Sequence, residues 1–273
     1  MVADPIFYEH TSDMKIITLN TWGGRAGEEN LLSFFDKYKE NTDVFCLQEI
    51  WSSFPKELLL GRIAGGFPLK LDTVMQEGFL KLKEKLSEHV DYFRPHLLDH
   101  YGLLSLIKKD IRVDEEGEVF VHKYKGYLPD EYEPGSDLGR HARNIQYIKT
   151  VLNDKPLTII NFHGLWNGQG KGDSEDRLNQ SKNVLDFIKT LDGEVVLCGD
   201  FNLLPDTESL KMFEDYGLKN LIKEYGITST RTSYYTKPLR FADYVFVSQG
   251  LDVKDFKVLP EEVSDHSALY LEI

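Results

Sequence analysis

The 273-residue sequence contains only two cysteines, Cys46 and Cys198. Each lies in a predicted core strand shortly before a polar motif, and neither has the partners of a zinc site or a thiol nucleophile. Two such thiols are more often buried and free than bridged. With no secretory signal in the sequence, this favours a reducing, cytoplasmic location.

Long apolar runs are also missing, so no segment is expected to insert stably into a membrane. No basic amphipathic helix indicates attachment to one. Residues 1–13 lack the apolar stretch of a secretory signal and are expected to be an N-terminal extension or leader. Because no Pro/Gly/Ser-rich linker or repeat divides the rest, residues 14–273 are expected to form one catalytic domain.

Positive charge is in deficit, with 32 Lys and Arg against 45 Asp and Glu, a net charge of −13. Such a chain lacks the basic surface that binds duplex nucleic acid non-specifically. Nucleic acid is not excluded, because bound metal ions neutralise acidic clusters and a few placed cations hold a phosphate. The balance disfavours a broad-specificity, duplex-binding nuclease.

Apolar periodicity predicts an alternation of helices and strands. Helical stripes occupy 30–38, 75–90 and 176–191, the second through Met75, Phe79, Leu82, Leu86 and Val90. Apolar strands are predicted at 15–19, 44–47, 102–108, 145–152, 157–162, 194–198, 242–247 and 268–273. The last of these is apolar at alternate positions and is expected inside a sheet.

Polar residues repeatedly sit at the ends of these strands. Asp200 and Asn202 follow the strand 194–198 two positions apart, so their side chains are expected to point to the same side. Asp and Asn are also ordinary turn formers. However, Asn20, the Gln48-Glu49 pair and Asp243 occupy similar places, which favours a site assembled from several strands.

Six motifs, in order, resemble the endonuclease/exonuclease/phosphatase superfamily. They are Leu19-Asn20-Thr21-Trp22, Leu47-Gln48-Glu49, Asn161-Phe162-His163, Gly199-Asp200-Phe201-Asn202, Asp243-Tyr244-Val245-Phe246 and Ser264-Asp265-His266. The resemblance implies an α/β fold, a four-layer sandwich of two packed mixed β-sheets flanked by helices, with the site at one edge between the sheets. It also implies metal-assisted attack of water on phosphorus.

By the same resemblance, Mg²⁺ or Mn²⁺ is the cofactor and Glu49 is the first choice of metal ligand. Asn20 and Asp265 would complete or support that metal shell. Asp200 would orient the attacking water, with a second metal ligand or a base as alternatives. Asn202 would orient a phosphoryl oxygen.

The family pattern also pairs His266 with Asp243, which would fix the tautomer of the imidazole and raise its pKa. His266 would contact the phosphate or activate water; the alternative for Asp243 is a residue that caps a loop. His163 matches the deoxyribonuclease, sphingomyelinase and inositol-phosphatase branches, whereas abasic-site endonucleases carry Asn there. A protonated His163 would donate to a phosphoryl oxygen or the leaving group; the alternative is a structural bond to backbone.

Outside these motifs the resemblance is looser. Trp166 follows His163 in a Gly-rich loop and is a candidate for stacking on a base or headgroup, or for simple packing. Arg143 is a candidate phosphate contact. Arg177 and Gln180 open a helix and are expected to be structural.

Together these features predict a metal-dependent phosphoester hydrolase, a phosphodiesterase or nuclease acting on a nucleic-acid end, a nucleotide or a phosphorylated small molecule. The alternatives are a phosphomonoesterase, a lipid phosphodiesterase, or a non-catalytic binding module on the same scaffold. The oligomeric state is not encoded in these patterns; a monomer is expected.

Overall fold

A computed structural model describes residues 13–53, 62–63, 67–68, 74–97, 99–127 and 141–273 of the chain. The expected extension at residues 1–13 lies almost entirely outside this range. The strands, in chain order, are β1 Lys15–Asn20, β2 Val44–Trp51, β3 Arg62–Ile63, β4 Phe67–Pro68, β5 His89–Leu97, β6 Tyr101–Lys108, β7 Glu115–His122, β8 Arg143–Leu152, β9 Lys155–His163, β10 Glu194–Asp200, β11 Leu218–Asn220, β12 Asp243–Ser248, β13 Asp255–Val258 and β14 Leu269–Glu272. The helices are α1 Glu28–Tyr38, α2 Gly78–Lys85, α3 Glu175–Ile188, α4 Glu208–Asp215 and α5 Leu221–Glu224.

Two six-stranded sheets form the centre of the molecule. The first has the order β13-β14-β1-β2-β6-β5 and the second the order β11-β12-β10-β9-β8-β7. Each is mixed, because β1 and β2 run parallel in the first and β9 and β10 run parallel in the second. β14 lies between β13 and β1, so the prediction that the last strand is internal is confirmed.

Side-chain alternation along the strands produces the layers. In β1, Ile16 joins a large apolar cluster that contains residues of both sheets and of α3, α4 and α5. Its neighbour Ile17 joins a second cluster with α1 and α2. Successive residues of a strand point to opposite faces, so each sheet has one face against the other sheet and one against helices. The predicted four-layer α/β sandwich is confirmed.

Cys46 and Cys198 lie in the cluster that joins the two sheets, and both are buried free thiols, as predicted. A hydrogen bond with Cys198, together with burial, raises the pKa of the Cys46 thiol well above its usual value. Polar pairs also cross between the sheets, and Gln48 donates from Nε2 to Oδ1 of Asn161 over 2.7 Å.

One prediction of secondary structure is wrong. The apolar stripe at 75–90 predicted one helix, but α2 ends at Lys85 and Val90 lies in strand β5. Leu86, at the end of α2, still packs into the core beside α1, whereas Val90 is 37 % exposed. The spacing of four residues from Leu86 to Val90 is therefore accidental. Among the described residues, no helix is long and apolar enough to cross a membrane.

Candidate active site

The two parallel strand pairs bring the predicted residues to one edge of the sandwich. In the second sheet, Asp200 at the end of β10 lies opposite His163 at the end of β9. On its other side Asp200 lies opposite Asp243, the first residue of β12. In the first sheet, β1 ends at Asn20, whose side chain reaches across to the second sheet. The edge where these strands end is therefore lined from both sheets.

Asp200 is at the centre of these contacts. Its Oδ2 accepts a hydrogen bond of 2.8 Å from Nδ2 of Asn20, and its Oδ1 accepts one of 2.8 Å from the backbone N–H of Asn202. The same Oδ2 lies 3.6 Å from Nε2 of His266 and 3.7 Å from Nε2 of His163. The side chains of Asn20, His163, Asp200 and His266, predicted from four separate motifs, are thus in one cluster.

Charge around Asp200 keeps this carboxyl ionised. Burial alone would raise its pKa, but the positive charges of His266, Arg231 and Lys171 outweigh burial and hold the pKa below its usual value. For His266, burial and Arg231 lower the pKa, yet the carboxylates of Asp243, Asp265 and Asp200 raise it overall. The site therefore favours an ionised Asp200 beside a protonated imidazole.

Asp243 binds the opposite side of the His266 ring, with both of its oxygens close to Nδ1. Burial raises the pKa of Asp243 against the charge of His266, so the two groups compete for protons. Ligand atoms of Asp200, Asp243 and His266 lie within 4.8 Å of one another. Because Asp243 already accepts from the imidazole, this triad is better suited to proton transfer than to holding a metal.

The predicted metal ligands divide between two places. Glu49 lies where the pairing of β2 with β6 shifts in register, and its backbone is left-handed, with φ of 61°. Oε1 of Glu49 accepts a hydrogen bond of 3.2 Å from Asn20, and Oε2 lies 3.5 Å from Arg25. Asn20 thus links Glu49 to Asp200. Its own Oδ1 accepts from the backbone N–H of Trp22 over 2.9 Å, so Asn20 orients the carboxylates.

Asp265 accepts a hydrogen bond through one oxygen only. Its Oδ2 accepts one of 2.8 Å from Arg231, whereas Oδ1 is buried, lies 3.6 Å from Nε2 of His266 and has no hydrogen-bond partner in the described part of the chain. A buried carboxylate oxygen without a hydrogen bond is costly, and a hard cation would satisfy it. The carboxylate oxygens of Glu49 and Asp265 are of the type that Mg²⁺ or Mn²⁺ prefers, whereas the side-chain oxygen of Asn20 already accepts from Trp22. Glu49 and Asp265 therefore each suit a divalent cation by donor type.

Asn202 and His163 complete the predicted set. Asn202 has a left-handed backbone, φ 55°, and donates from Nδ2 to the carbonyl of Gly164 over 3.2 Å. His163 is 2 % exposed, and burial together with the charge of Arg143 lowers its pKa well below the usual value. Burial and the charge of Arg143 therefore favour a neutral ring over the protonated form expected from the sequence. Its Nδ1 has no hydrogen-bond partner among the described residues and is buried.

Several residues outside the motifs hold the site rather than line it. Arg143, a candidate phosphate contact by sequence, is buried and donates to the carbonyl of Gly164 and to the rings of His96 and His141. Arg177 donates to the carbonyls of Leu165, Gly170 and Gly172. These bonds fix the loop after β9, so the structural role expected for Arg177 is confirmed.

Two cations near Asp200 were missed by the motifs. Arg231 lies in a loop that forms a bridge with His266, and Lys171 lies in the Gly-rich loop after β9. Both are almost fully buried, at 6 % and 8 % exposed. Neither follows an apolar strand, so strand-end patterns do not reveal them. The one available signal is a lone lysine between the glycines of an otherwise polar loop, which is weak.

Comparison with known proteins agrees with this architecture. The sequence profile of the Endonuclease/Exonuclease/phosphatase family matches residues 17–266. No curated protein sequence matches the chain significantly. The chain belongs to the Endonuclease/Exonuclease/phosphatase family. Members of this family are generally hydrolases of phosphoesters that use a divalent metal.

Solved structures share the fold at low sequence identity. An endonuclease/exonuclease/phosphatase from Bacteroides vulgatus has a TM-score of 0.67 and 16% identity, covering 96% of this chain and 98% of that one. D. rerio TDP2, complexed with a single strand DNA product, has a TM-score of 0.64 and 18% identity, covering 96% and 98%. A mannosyl-6-phosphatase from Bacteroides thetaiotaomicron has a TM-score of 0.63 and 15% identity, covering 95% and 99%.

Proposed function

We propose that this protein is a divalent-metal-dependent phosphoester hydrolase in which a water molecule attacks phosphorus. The observation that carries the proposal is the convergence on Asp200 of Asn20, the Asn202 backbone, His163 and His266, at 2.8 to 3.7 Å. A buried, ionised carboxylate among such donors is suited to accept a hydrogen bond from a water molecule and so to orient it. An aspartate with a purely structural role would not require all four of these partners.

Each residue has a role in the proposed reaction. Glu49 and Asp265 would hold the metal, supported by Asn20, and the bound metal would neutralise charge on the phosphate. Asp200 orients the water, while Asn202 and neutral His163 donate hydrogen bonds to phosphoryl oxygens. His266, held by Asp243, donates from Nε2. The water oxygen bonds to phosphorus, the ester P–O bond breaks, and one water proton ends on the leaving alcohol.

The substrate is proposed to be a small or single-stranded phosphoester: a nucleic-acid end, a nucleotide or a phosphorylated small molecule. The net charge of −13 argues against binding along a duplex. Two proteins of the same fold support this range of substrates. One is D. rerio TDP2, complexed with a single strand DNA product, and the other is a mannosyl-6-phosphatase.

Product release from a substrate panel tests the proposal. The panel contains single-stranded and nicked DNA, RNA, nucleotides, inositol phosphates, sugar phosphates and sphingomyelin, each in Mg²⁺ and in EDTA. The matched variants are Asp200→Asn and, at an exposed position, Asp192→Asn. We expect metal-dependent release by the wild type and Asp192→Asn, and a loss of 10²-fold or more in Asp200→Asn. Full activity of Asp200→Asn would overturn the assignment. Metal binding with no turnover of any substrate would instead favour a binding module.

A further inference from the structure

Lys171 and Arg231 are two buried cations that the proposed reaction does not yet use. Both lie against the ring of Tyr235, with Lys171 Nζ 5.2 Å and Arg231 Cζ 4.3 Å from its centroid. Both also lie close enough to Asp200 for their charge to lower the pKa of that carboxyl. They therefore belong to the wall of the candidate active site.

Their hydrogen bonds to the protein leave donors unused. Lys171 donates from Nζ to the carbonyl of Phe241 over 2.9 Å, and the described residues supply no second acceptor to this ammonium. Arg231 donates from Nη1 to Asp265, but its Nε is buried with no hydrogen-bond partner in the described part of the chain. An ammonium has three N–H groups and a guanidinium five. Buried cationic donors without acceptors indicate a place for an anion.

The two cations are held in place by the backbone around them. Arg240 donates from Nη2 to the carbonyls of Arg231 and Thr232, each over 2.8 Å, and from Nη1 to the carbonyl of Tyr235 over 3.0 Å. The carbonyl of Lys171 accepts a hydrogen bond of 2.9 Å from the backbone N–H of Leu204. Fixed donors need little reorganisation when an anion binds, as expected of a binding site.

The charges of the site indicate which anion fits. Glu49 pairs with Arg25 and Asp265 pairs with Arg231, while the charge of Lys171 acts on Asp200. The unused N–H groups of Lys171 and Arg231 favour the anion with more negative charge and more acceptor oxygens. A phosphomonoester dianion has three terminal oxygens, whereas a phosphodiester monoanion has two. The dianion therefore fits these donors better.

We propose that Lys171 and Arg231 form an anion subsite for a dianionic phosphate, so that the preferred substrate is a phosphomonoester rather than a phosphodiester. The proposal rests on the phosphoester-hydrolase function and narrows its substrate class. A phosphomonoester dianion and water give an alcohol and the hydrogen phosphate dianion, so charge and atoms balance. This differs from the phosphodiester favoured by the sequence, which took no account of these two loop residues.

Equilibrium binding tests the subsite without turnover. Methyl phosphate is mainly dianionic at pH 7.5 and dimethyl phosphate is a monoanion. Burial and the charge of Arg231 lower the pKa of Lys171 to about 8, so most of this lysine is still charged at that pH. By calorimetry in EDTA, we expect wild type to bind methyl phosphate about tenfold or more tightly than dimethyl phosphate.

Variants of Lys171 test whether this lysine causes the preference for methyl phosphate. Lys171→Met should bring the ratio of the two affinities close to one, and Lys171→Arg should retain most of it. Lys219→Met is the matched control, because Lys219 also donates from Nζ to a backbone carbonyl, that of Leu251, over 2.8 Å. If Lys171→Met does not fold, as judged by circular dichroism, Lys171→Gln takes its place. Equal affinities in wild type, or an unchanged ratio in the folded variant, would overturn the subsite.

An activity measurement separates this proposal from the one it rests on. With Mg²⁺, kcat/KM is measured for p-nitrophenyl phosphate and bis(p-nitrophenyl) phosphate, which share a leaving group. A monoester preference that Lys171→Met removes supports the subsite. Faster cleavage of the diester, unaffected by Lys171→Met, would overturn the subsite and leave the hydrolase standing. Tight, Lys171-dependent binding of methyl phosphate with no cleavage of any ester would support the subsite and overturn the hydrolase.

Discussion

Asp243 and His266 are joined at a single ring nitrogen: Nδ1 of His266 lies 2.8 Å from Oδ1 and 2.9 Å from Oδ2 of Asp243. Since a carboxylate only accepts, Nδ1 carries a proton, and Nε2 is the nitrogen left to face Asp200 and Asp265, each at 3.6 Å. The pair therefore fixes which nitrogen of His266 faces the reacting groups.

Replacing Asp243 by Asn should lower the pKa of His266. The Asn side chain keeps an oxygen that accepts from Nδ1 but removes one of the three carboxylates that raise this pKa. Titration of the His266 ring by NMR should show a downward shift of about one unit or more. An exposed Asp192→Asn change should leave the His266 titration where it is in wild type. A titration unchanged in Asp243→Asn would mean that Asp200 and Asp265 suffice to hold the proton.

Glu49→Gln should weaken Mg²⁺ binding. Gln keeps the oxygen that accepts from Asn20 but loses the charge that binds a hard cation. Calorimetric titration should give a dissociation constant at least about tenfold larger than that of wild type. Glu29→Gln, on the exposed side of α1, is the control and should bind Mg²⁺ as wild type does. An unchanged constant in Glu49→Gln would remove Glu49 from the metal ligands.

Asn202 allows backbone and side chain to be tested apart. Its φ of 55° suits Gly but strains Ala, at a cost of about 1–2 kcal/mol in the free energy of unfolding. Asn202→Gly and Asn202→Ala should both lower kcat by about 10²-fold or more, because both lose the amide donor. Only the Ala variant should also be destabilised in urea unfolding by the backbone strain.

A second asparagine provides the control for this comparison. Asn153 has φ of 49° in the exposed turn between β8 and β9. Asn153→Gly should have the same stability in urea and the same kcat as wild type. If Asn202→Gly kept full activity, the amide of Asn202 would have no part in the reaction and its conformation alone would explain its presence.

One rule fixes the placement of strand-end residues in the second sheet, because parallel strands end at the same edge of a sheet. It brings Asp200 to His163, since β9 and β10 run parallel. The same-side rule for residues two apart on a strand does not apply to Asn202, because β10 ends at Asp200 and Asn202 has a left-handed backbone. Asn202 contacts Asp200 through its backbone N–H, as a turn residue does. The hydrogen bond between Asn20 and Asp200 could not be predicted from this rule, because it crosses between the sheets and depends on how they stack.

The other features of the site and fold depend on contacts between distant parts of the chain, which local sequence patterns do not encode. Lys171 and Arg231 lie in loops whose course is set by Arg240 and by backbone hydrogen bonds, so spacing gives no guide to them. The lowered pKa of His163 follows from burial and from Arg143, which lies twenty residues earlier in the chain. Val90 fitted a helical stripe by chance, because four-residue spacing over a single step does not distinguish a helix from the start of a strand.

Away from the site, His89 should make stability depend on pH. It is 5 % exposed, its Nε2 lies 3.0 Å from the carbonyl of Thr42, and burial lowers its pKa. A depressed histidine pKa means that the unfolded chain binds a proton more readily than the native one. Its contribution to stability is therefore complete above the unfolded pKa of about 6.5 and falls as pH decreases below it.

The melting temperature of wild type should accordingly fall between pH 7.5 and pH 5.5, and His89→Gln should show a smaller fall. Gln retains an N–H donor for the carbonyl of Thr42 but does not titrate in this range. Part of the fall should remain, because burial also lowers the pKa of His96, His122 and His163. Each unit of pKa difference is worth about 1.4 kcal/mol, so calorimetric unfolding at the two pH values resolves the change. A fall in His89→Gln equal to that of wild type would show that His89 takes up its proton equally in the folded and unfolded states.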